Sequence, residues 1–410
     1  MNPNGNVINL FSESFKFTAI PVWIELYNED PKSKRQYCMV GLKDVSRDIQ
    51  VVHPLSEFIS SLWLGRSFNT QRKHAMNIAS FMNFIIANRI SLNINYFKDL
   101  NLEHGTIFLN ILSQNKDRKT VQLYERTLTL FYKWLTDKET ISLTPGTFIK
   151  VEGQYGSYYA SPFGTINYPQ YKPTNSEHML PLKYIPLLLE IAILVARPIV
   201  LGLYMQIFGG LRVGEVVNLL KSAVRKSYSN GDFLVQLHSN NLRSDLKNSS
   251  GSNYVKKNRQ QVILQVNNWG TCLFNDHISL YNTKDGSGAL FVNRDGNAMT
   301  AECYRQYFTK IKKVFINFLR EHGDPKDKLV AVHLNKGKWS THIGRGTFTN
   351  ILADEVESVF DLAFMRGDKD PRSSLAYMSN TERMRVKIEE KFESMHGEYI
   401  PMLIDRSQKR

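Results

Sequence analysis

His342 and Arg345 stand three residues apart in STHIGRGTFTNILADE, residues 340–355, with glycines on either side of the arginine. Only this one of the ten histidines has arginine at that spacing. A single H-x-x-R is a commonplace motif, so its setting must supply the meaning. Phe348, Ile351, Leu352, Val356 and Val359 recur at three- and four-residue steps, the mark of one buried helix face, and Ser340 or Thr341 is the matching N-cap. His342 and Arg345 then lie in the first turn. Free backbone N–H groups and the helix dipole favour an anion there, and the i, i+3 spacing turns both side chains one way. The chemistry on offer is capture of an anion with several oxygens, a phosphate or a carboxylate. The alternative is a solvated His and Arg at a helix end.

A second constellation precedes it. In FGGLRVGEVVNLLKSAV, residues 208–224, Val213, Val216, Val217 and Leu220 mark a buried stripe, and Arg212 lies at the mouth of the helix after two glycines. Glu215 is one turn on, either an ordinary i, i+3 surface partner of Arg212 or a brace that aims it at a ligand. Two guanidinium forks suit a phosphodiester, because they can bind both non-bridging oxygens and follow the charge as a pentacoordinate phosphorus develops. Arg212 and Arg345 would form that clamp. A candidate nucleophile follows 32 residues after Arg345: FMRGDKDPRSSLAYM runs through a Gly-Asp turn and a proline into a helix carrying Tyr377.

Composition narrows the anion. Lys and Arg number 52 against 38 acids, a net charge of +14, which calls for a polyanionic partner: nucleic acid or, less often, an acidic membrane surface. No run of about twenty apolar residues exists, and the opening MNPNGNVINLFSES has no basic-then-apolar signal pattern. A soluble, cytoplasmic, nucleoid-associated protein is expected. Cys38, Cys272 and Cys303 are scattered and odd in number, implying neither a disulfide framework nor a zinc cluster, and no metal or cofactor is expected.

The elements that must position these residues follow from periodicity. FKFTAIPVWIEL (15–26) and QYCMVGL (36–42) read as strands, giving a β-containing appendage over residues 1–50. Helical spacing then takes over. Four helix candidates between Pro54 and Leu135 make a small helical domain over 51–140. The Gly-, Pro- and Tyr-rich stretch from 141 to 178 reads as a linker, and residues 179–410 form a second domain with a helical tail. Inside it, DFLVQLH (232–238) and RQQVILQV (259–266) are strands flanking a long hairpin tip. The fold class expected is mainly α with a small β-sheet, α+β.

The order L-R-x-x-E, a β-hairpin with lysine, H-x-x-R and then tyrosine ten positions after Gly367 resembles the tyrosine recombinase (phage integrase) family. GGLRVGE is similar to its first box, THIGRGTFTNILA to its second and GDKDPRSSLAYM to its third; the likeness spans residues 180–390 well. The 51–140 region resembles the family's core-binding (SAM-like) domain in size and position. The resemblance implies a site-specific DNA recombinase with a C-shaped clamp on duplex DNA, its helical and catalytic domains gripping opposite faces. Arg212 and Arg345 would bind the scissile phosphate, with Glu215 supporting Arg212. His342 would be acid/base partner or phosphate donor, and Tyr377 would attack to give a 3′-phosphotyrosyl link. The hairpin lysine would protonate the leaving 5′-oxygen; Lys256 has the family's distance from the second strand, and Lys247 and Lys257 are its rivals. Asp368 departs from the His or Trp the third box carries after glycine, and an aspartate beside a phosphate needs a cation or a turn away from it. It would instead buttress an arginine or accept from His342. Gly346, where relatives often have His, is a milder departure.

A homotetramer on DNA is implied, joined by exchange of the C-terminal helix with apolar Met384, Val386, Ile388 and Phe392, together with accessory DNA-bending or element-encoded proteins; the alternative for that helix is packing on its own domain. Integration, excision or transposition of a mobile element would be the outcome. A relaxing topoisomerase of type IB shares the chemistry, and a non-catalytic DNA-binding relative shares the fold.

Overall fold

The computed structural model describes residues 15–25, 34–153, 156–171, 180–226, 231–246, 250–256, 258–337, 339–353 and 399–408. The chain divides into two compact units, residues 1–173 and 174–410. It is mainly helical with small antiparallel sheets, an α+β protein. No described helix is long and apolar enough to cross a membrane.

The first unit begins with a three-stranded antiparallel sheet, β1 (Phe15–Glu25), β2 (Lys34–Asp44) and β3 (Ile49–Val52), in that order. The four helices that periodicity places between Pro54 and Leu135 are α1 (Ser56–Trp63), α2 (Phe68–Ala87), α3 (Leu102–Asn115) and α4 (Arg118–Asp137). Polar side chains mark three of their starts: Ser67, Asn101 and Asp117 each accept from a backbone N–H of the first turn.

The sheet, expected as an appendage, is built into the helical core. Phe17, Cys38, Val40 and Leu42 are buried in one cluster with Ala75, Ile78 and Met82 of α2. Two α2 amides complete the ladder. Asn83 accepts from Phe17 N at 2.8 Å and donates to Phe17 O at 2.9 Å, which satisfies the backbone groups of Phe17 on the edge strand β1. Gln71 accepts from Cys38 N at 2.9 Å. Amides on a helix carry no strand signal, so this union was invisible to periodicity.

The segment expected as a linker also belongs, over its first thirty residues, to this unit. It forms the hairpin β4 (Lys150–Gly153) and β5 (Gly156–Tyr159) and then lays Phe163 against Tyr132, ring centroids 5.5 Å apart. Gly105 makes the slot: a Cβ there would stand 2.4 Å from the Phe163 ring. Asn110 locks the next turn by accepting from Asn167 N at 2.8 Å and donating to Thr165 O at 3.1 Å.

The second unit centres on two apolar helices, α5 (Ile185–Val195) and α6 (Val200–Gly209); every residue of α6 is buried. The apolar run does not continue as one helix. It breaks at Ala196, where the chain turns through Arg197 and Pro198, since proline has no N–H to donate and clashes with the preceding turn. One turn, α7 (Val213–Val216), follows α6. The helix expected to reach Leu220 stops there. Asn218 donates to Gly214 O at 2.8 Å and binds Asn240 by both its amide oxygen and its carbonyl, ending the helix against the sheet.

That sheet is β6 (Val224–Lys226), β7 (Phe233–Leu237) and β8 (Arg259–Ile263), antiparallel, with Val235 opposite Gln261. Then come α8 (Trp269–Leu280), the long amphipathic α9 (Ala301–His322), α10 (Pro325–Lys336) and α11 (His342–Ala353). A further helix at Tyr399–Gln408 packs on α5 and α8 and buries Ile400 and Ile404 in the core of its own unit. The stripe Met384, Val386, Ile388 and Phe392 lies outside the described residues.

Candidate active site

The site is assembled where the end of α6, the turn α7, the strand β8 and the start of α11 meet. Gly210 ends α6 in the left-handed region, φ +64°, a conformation glycine adopts without steric penalty. Its bare Cα also admits α11: a Cβ would lie 2.5 Å from Phe348. Gly344 does the same from the other side, since a Cβ there would stand 2.8 Å from Gln206. Two glycines thus let α11 settle directly on α6. That contact brings Arg345, which is buried, onto the carbonyl oxygen of Gly210, to which its guanidinium donates. Arg212 lies two residues beyond that carbonyl.

Arg212 opens α7 in an extended conformation, and Glu215 binds it twice. The carboxylate accepts from Arg212 N at 2.8 Å and from its guanidinium at 3.1 Å. The pair is not the surface contact its spacing allows. Glu215 is 1% exposed, whereas the Arg212 side chain keeps 33% of its surface open. A buried carboxylate holds the base of an arginine that still reaches solvent.

A residue missed by sequence reasoning completes the anchor. Arg259, the first residue of β8, donates to both Glu215 oxygens, at 2.6 and 3.1 Å. An arginine starting a strand after a polar loop reads as solvated; no local pattern linked it to Glu215, 44 residues away. Burial by itself would push the Glu215 carboxyl up, yet the hydrogen bonds and charge of Arg259, joined by Arg212, hold it below its ordinary value. It remains a carboxylate, able to brace two cations.

Lys256 is exposed on the hairpin tip, three residues before Arg259. The tip itself is seated. The carbonyls of Ser252 and Tyr254 lie so close over Gly214 that a Cβ would stand 2.8 and 2.6 Å from them. Asn253 accepts from Ala301 N at 2.7 Å. The lysine-bearing tip therefore rests on α7 and on the start of α9. His342 begins α11 and is exposed, and its backbone N lies 3.4 Å from Ser340 Oγ.

Arg212, Glu215 and Arg345 are thus brought to one corner, with Lys256 on the adjoining tip and His342 one turn before Arg345. Tyr377, Asp368, Lys247 and Lys257 lie outside the described residues.

No family model and no curated protein matches the chain. Among solved structures, the chain is similar to the XerH site-specific recombinase bound to its difH substrate, with 15% identity, 77% of this chain and 78% of that one covered, and a TM-score of 0.47. It is similar to the Tn1549 transposon integrase in complex with transposon right end DNA, with 16% identity, 83% and 98% covered, and a TM-score of 0.48. It is similar to the XerA recombinase at 14% identity, 81% and 96% covered, with a TM-score of 0.32.

Chemically, the corner offers two guanidinium groups in a fixed relation, one buried and one reaching solvent, with an exposed imidazole and an exposed ammonium on the flanking elements. Preorganised cations of this kind stabilise charge that develops on non-bridging oxygens, because no reorganisation is needed at the moment of reaction.

Proposed function

We propose that the chain is a tyrosine-type DNA strand transferase, a site-specific recombinase or integrase that cuts and rejoins duplex DNA. The observation that carries this reading is Arg345 closed on the Gly210 carbonyl beside Arg212, itself held by buried Glu215. A single phosphodiester is the anion that such a pair of forks fits.

In this reading Arg212 and Arg345 bind the scissile phosphate. The Tyr377 oxygen forms a bond to phosphorus while the bond to the 5′-oxygen breaks. His342 takes the phenol proton or donates to the phosphate, and Lys256 gives a proton to the departing 5′-oxygen. The phosphotyrosyl ester conserves the bond energy, so rejoining needs no nucleotide. Residues 51–140 serve as the core-binding domain and 179–410 as the catalytic domain, both engaging DNA. The partners are duplex DNA, three further copies joined by exchange of the helix that carries Met384, Val386, Ile388 and Phe392, and accessory DNA-bending proteins. The compartment is the cytoplasm, at the nucleoid, and the role is movement of a mobile element.

Nicked suicide duplexes drawn from the DNA flanking the protein's own coding sequence test the reading. The wild type should leave a covalent protein–DNA adduct on a denaturing gel, and Tyr377→Phe should bind the same duplex without forming it. An adduct persisting in Tyr377→Phe removes that tyrosine from the mechanism. Binding by the wild type with no adduct on any flanking sequence favours a non-catalytic relative.

A further inference from the structure

Next to Thr341, the residue before His342, the second unit carries an open pocket of about 410 Å³ between α9 and the chain leading into α11. Arg305, Lys312 and Lys313 line it from α9, and Trp339, Ser340 and Thr341 from the other wall. Among the described residues lining it there is no carboxylate. Arg305 has an acidic partner just outside, Glu302 at 3.2 Å, and the two lysines have none among the lining residues. Lys312 is held in place: its ammonium donates to Trp339 O at 3.3 Å and lies 5.2 Å from the centre of the buried Trp339 ring. Desolvation there pushes the Lys312 ammonium below its ordinary value, a penalty that an anion in the pocket would relieve.

We propose that this pocket is a second phosphate subsite, taking a backbone phosphodiester of the same duplex whose scissile phosphate lies at Arg212 and Arg345. The inference rests on reading the chain as a DNA strand transferase. Continuity supports it, because Thr341 lines the pocket and His342, the next residue, belongs to the candidate site. An anion track running from one to the other follows a single strand's backbone. A free phosphate or mononucleotide offers the same oxygens, and the test separates the two sources.

The full chain is titrated with a labelled duplex of about 40 base pairs over a series of salt concentrations. The pocket double substitution, Lys312→Gln with Lys313→Gln, is compared with Lys326→Gln and Lys328→Gln on the exposed face of α10, which removes the same charge. Each phosphate contact contributes roughly 0.9 to the slope of log affinity against log salt, so the pocket double should lower that slope by about 1 to 2 while the α10 double leaves it near wild type. Wild-type binding with an unchanged slope in the pocket double overturns the subsite and leaves the strand-transferase reading standing. Equal loss in both doubles assigns the effect to net charge and also overturns it. Calorimetry with inorganic phosphate and a mononucleotide supplies the other arm: tight binding lost only in the pocket double, with the DNA slope unchanged, would make it a free-anion site. A wild-type chain that binds no duplex overturns both readings.

Discussion

Arg259 places two guanidinium nitrogens on the two oxygens of Glu215, at 2.6 and 3.1 Å, joining the strand β8 to the turn that begins with Arg212. One buried carboxylate thereby fixes two parts of the candidate site, Arg212 and the strand that follows the lysine-bearing tip. Removing a partner from such a pair leaves a buried charge undercompensated. Arg259→Ala should lower stability by about 3 kcal/mol in denaturant titration. The double variant Arg259→Ala with Glu215→Gln should lose less than the sum of the singles, because the two residues interact directly. Additive losses would show that the pair is not coupled.

The same pair sets a pH dependence. Glu215 has its carboxyl below the ordinary value of 4.5, so its contribution is present above that pH and is lost as pH falls through the lower, folded value. In Arg259→Ala the desolvation of Glu215 is opposed by Arg212 alone, and the carboxyl moves up. Its stability difference from wild type should then widen as pH rises from below 4.5 and level off once the variant's carboxyl is also ionised, where the wild type holds a braced carboxylate and the variant a poorly braced one. A difference that is flat from pH 4 to 7 would remove Glu215 as its source.

Gly210 is required twice over, by its φ of +64° and by Phe348 standing where a Cβ would go. Gly210→Ala should cost about 2 to 4 kcal/mol from left-handed strain and overpacking together. It should also slow cleavage more than it weakens DNA binding, since moving Phe348 moves the helix that carries His342 and Arg345. Thermal unfolding and single-turnover cleavage read the two effects. Wild-type stability in Gly210→Ala would contradict the packing described.

Leaving-group chemistry separates the lysine from the arginines. If Lys256 protonates the departing 5′-oxygen, Lys256→Ala should cut an ordinary phosphodiester slowly and a bridging 5′-phosphorothiolate at near the wild-type rate, because a thiolate leaves without a proton. If Arg345 binds the non-bridging oxygens, Arg345→Ala should be slowed on the order of a hundredfold or more on both substrates. Rescue appearing instead in Lys247→Ala or Lys257→Ala would reassign the acid within the hairpin. Rescue in none of the three would pass the role to His342.

Much of this was legible without coordinates. The spacing of Phe348, Ile351 and Leu352 announced the buried face of α11, Ser340 or Thr341 its start, and the alternation of DFLVQLH the strand β7, because side-chain period and capping chemistry are properties of neighbouring residues. Arg212, Glu215, His342 and Arg345 were singled out as candidates the same way, each within a few residues of a glycine or a cap. Tertiary structure decided what those residues are worth. Whether Arg212–Glu215 is a solvated surface pair or a buried anchor depends on Arg259, which arrives from 44 positions away. The meeting of Arg345 with Gly210 spans 135 positions and rests on two glycines that let helices touch. The joining of β1 to α2 through Asn83, and the return of Phe163 onto Gly105, likewise have no local signature. Desolvation and close contact are set by which distant surfaces meet, and a one-dimensional pattern records only which face of each element will seek burial.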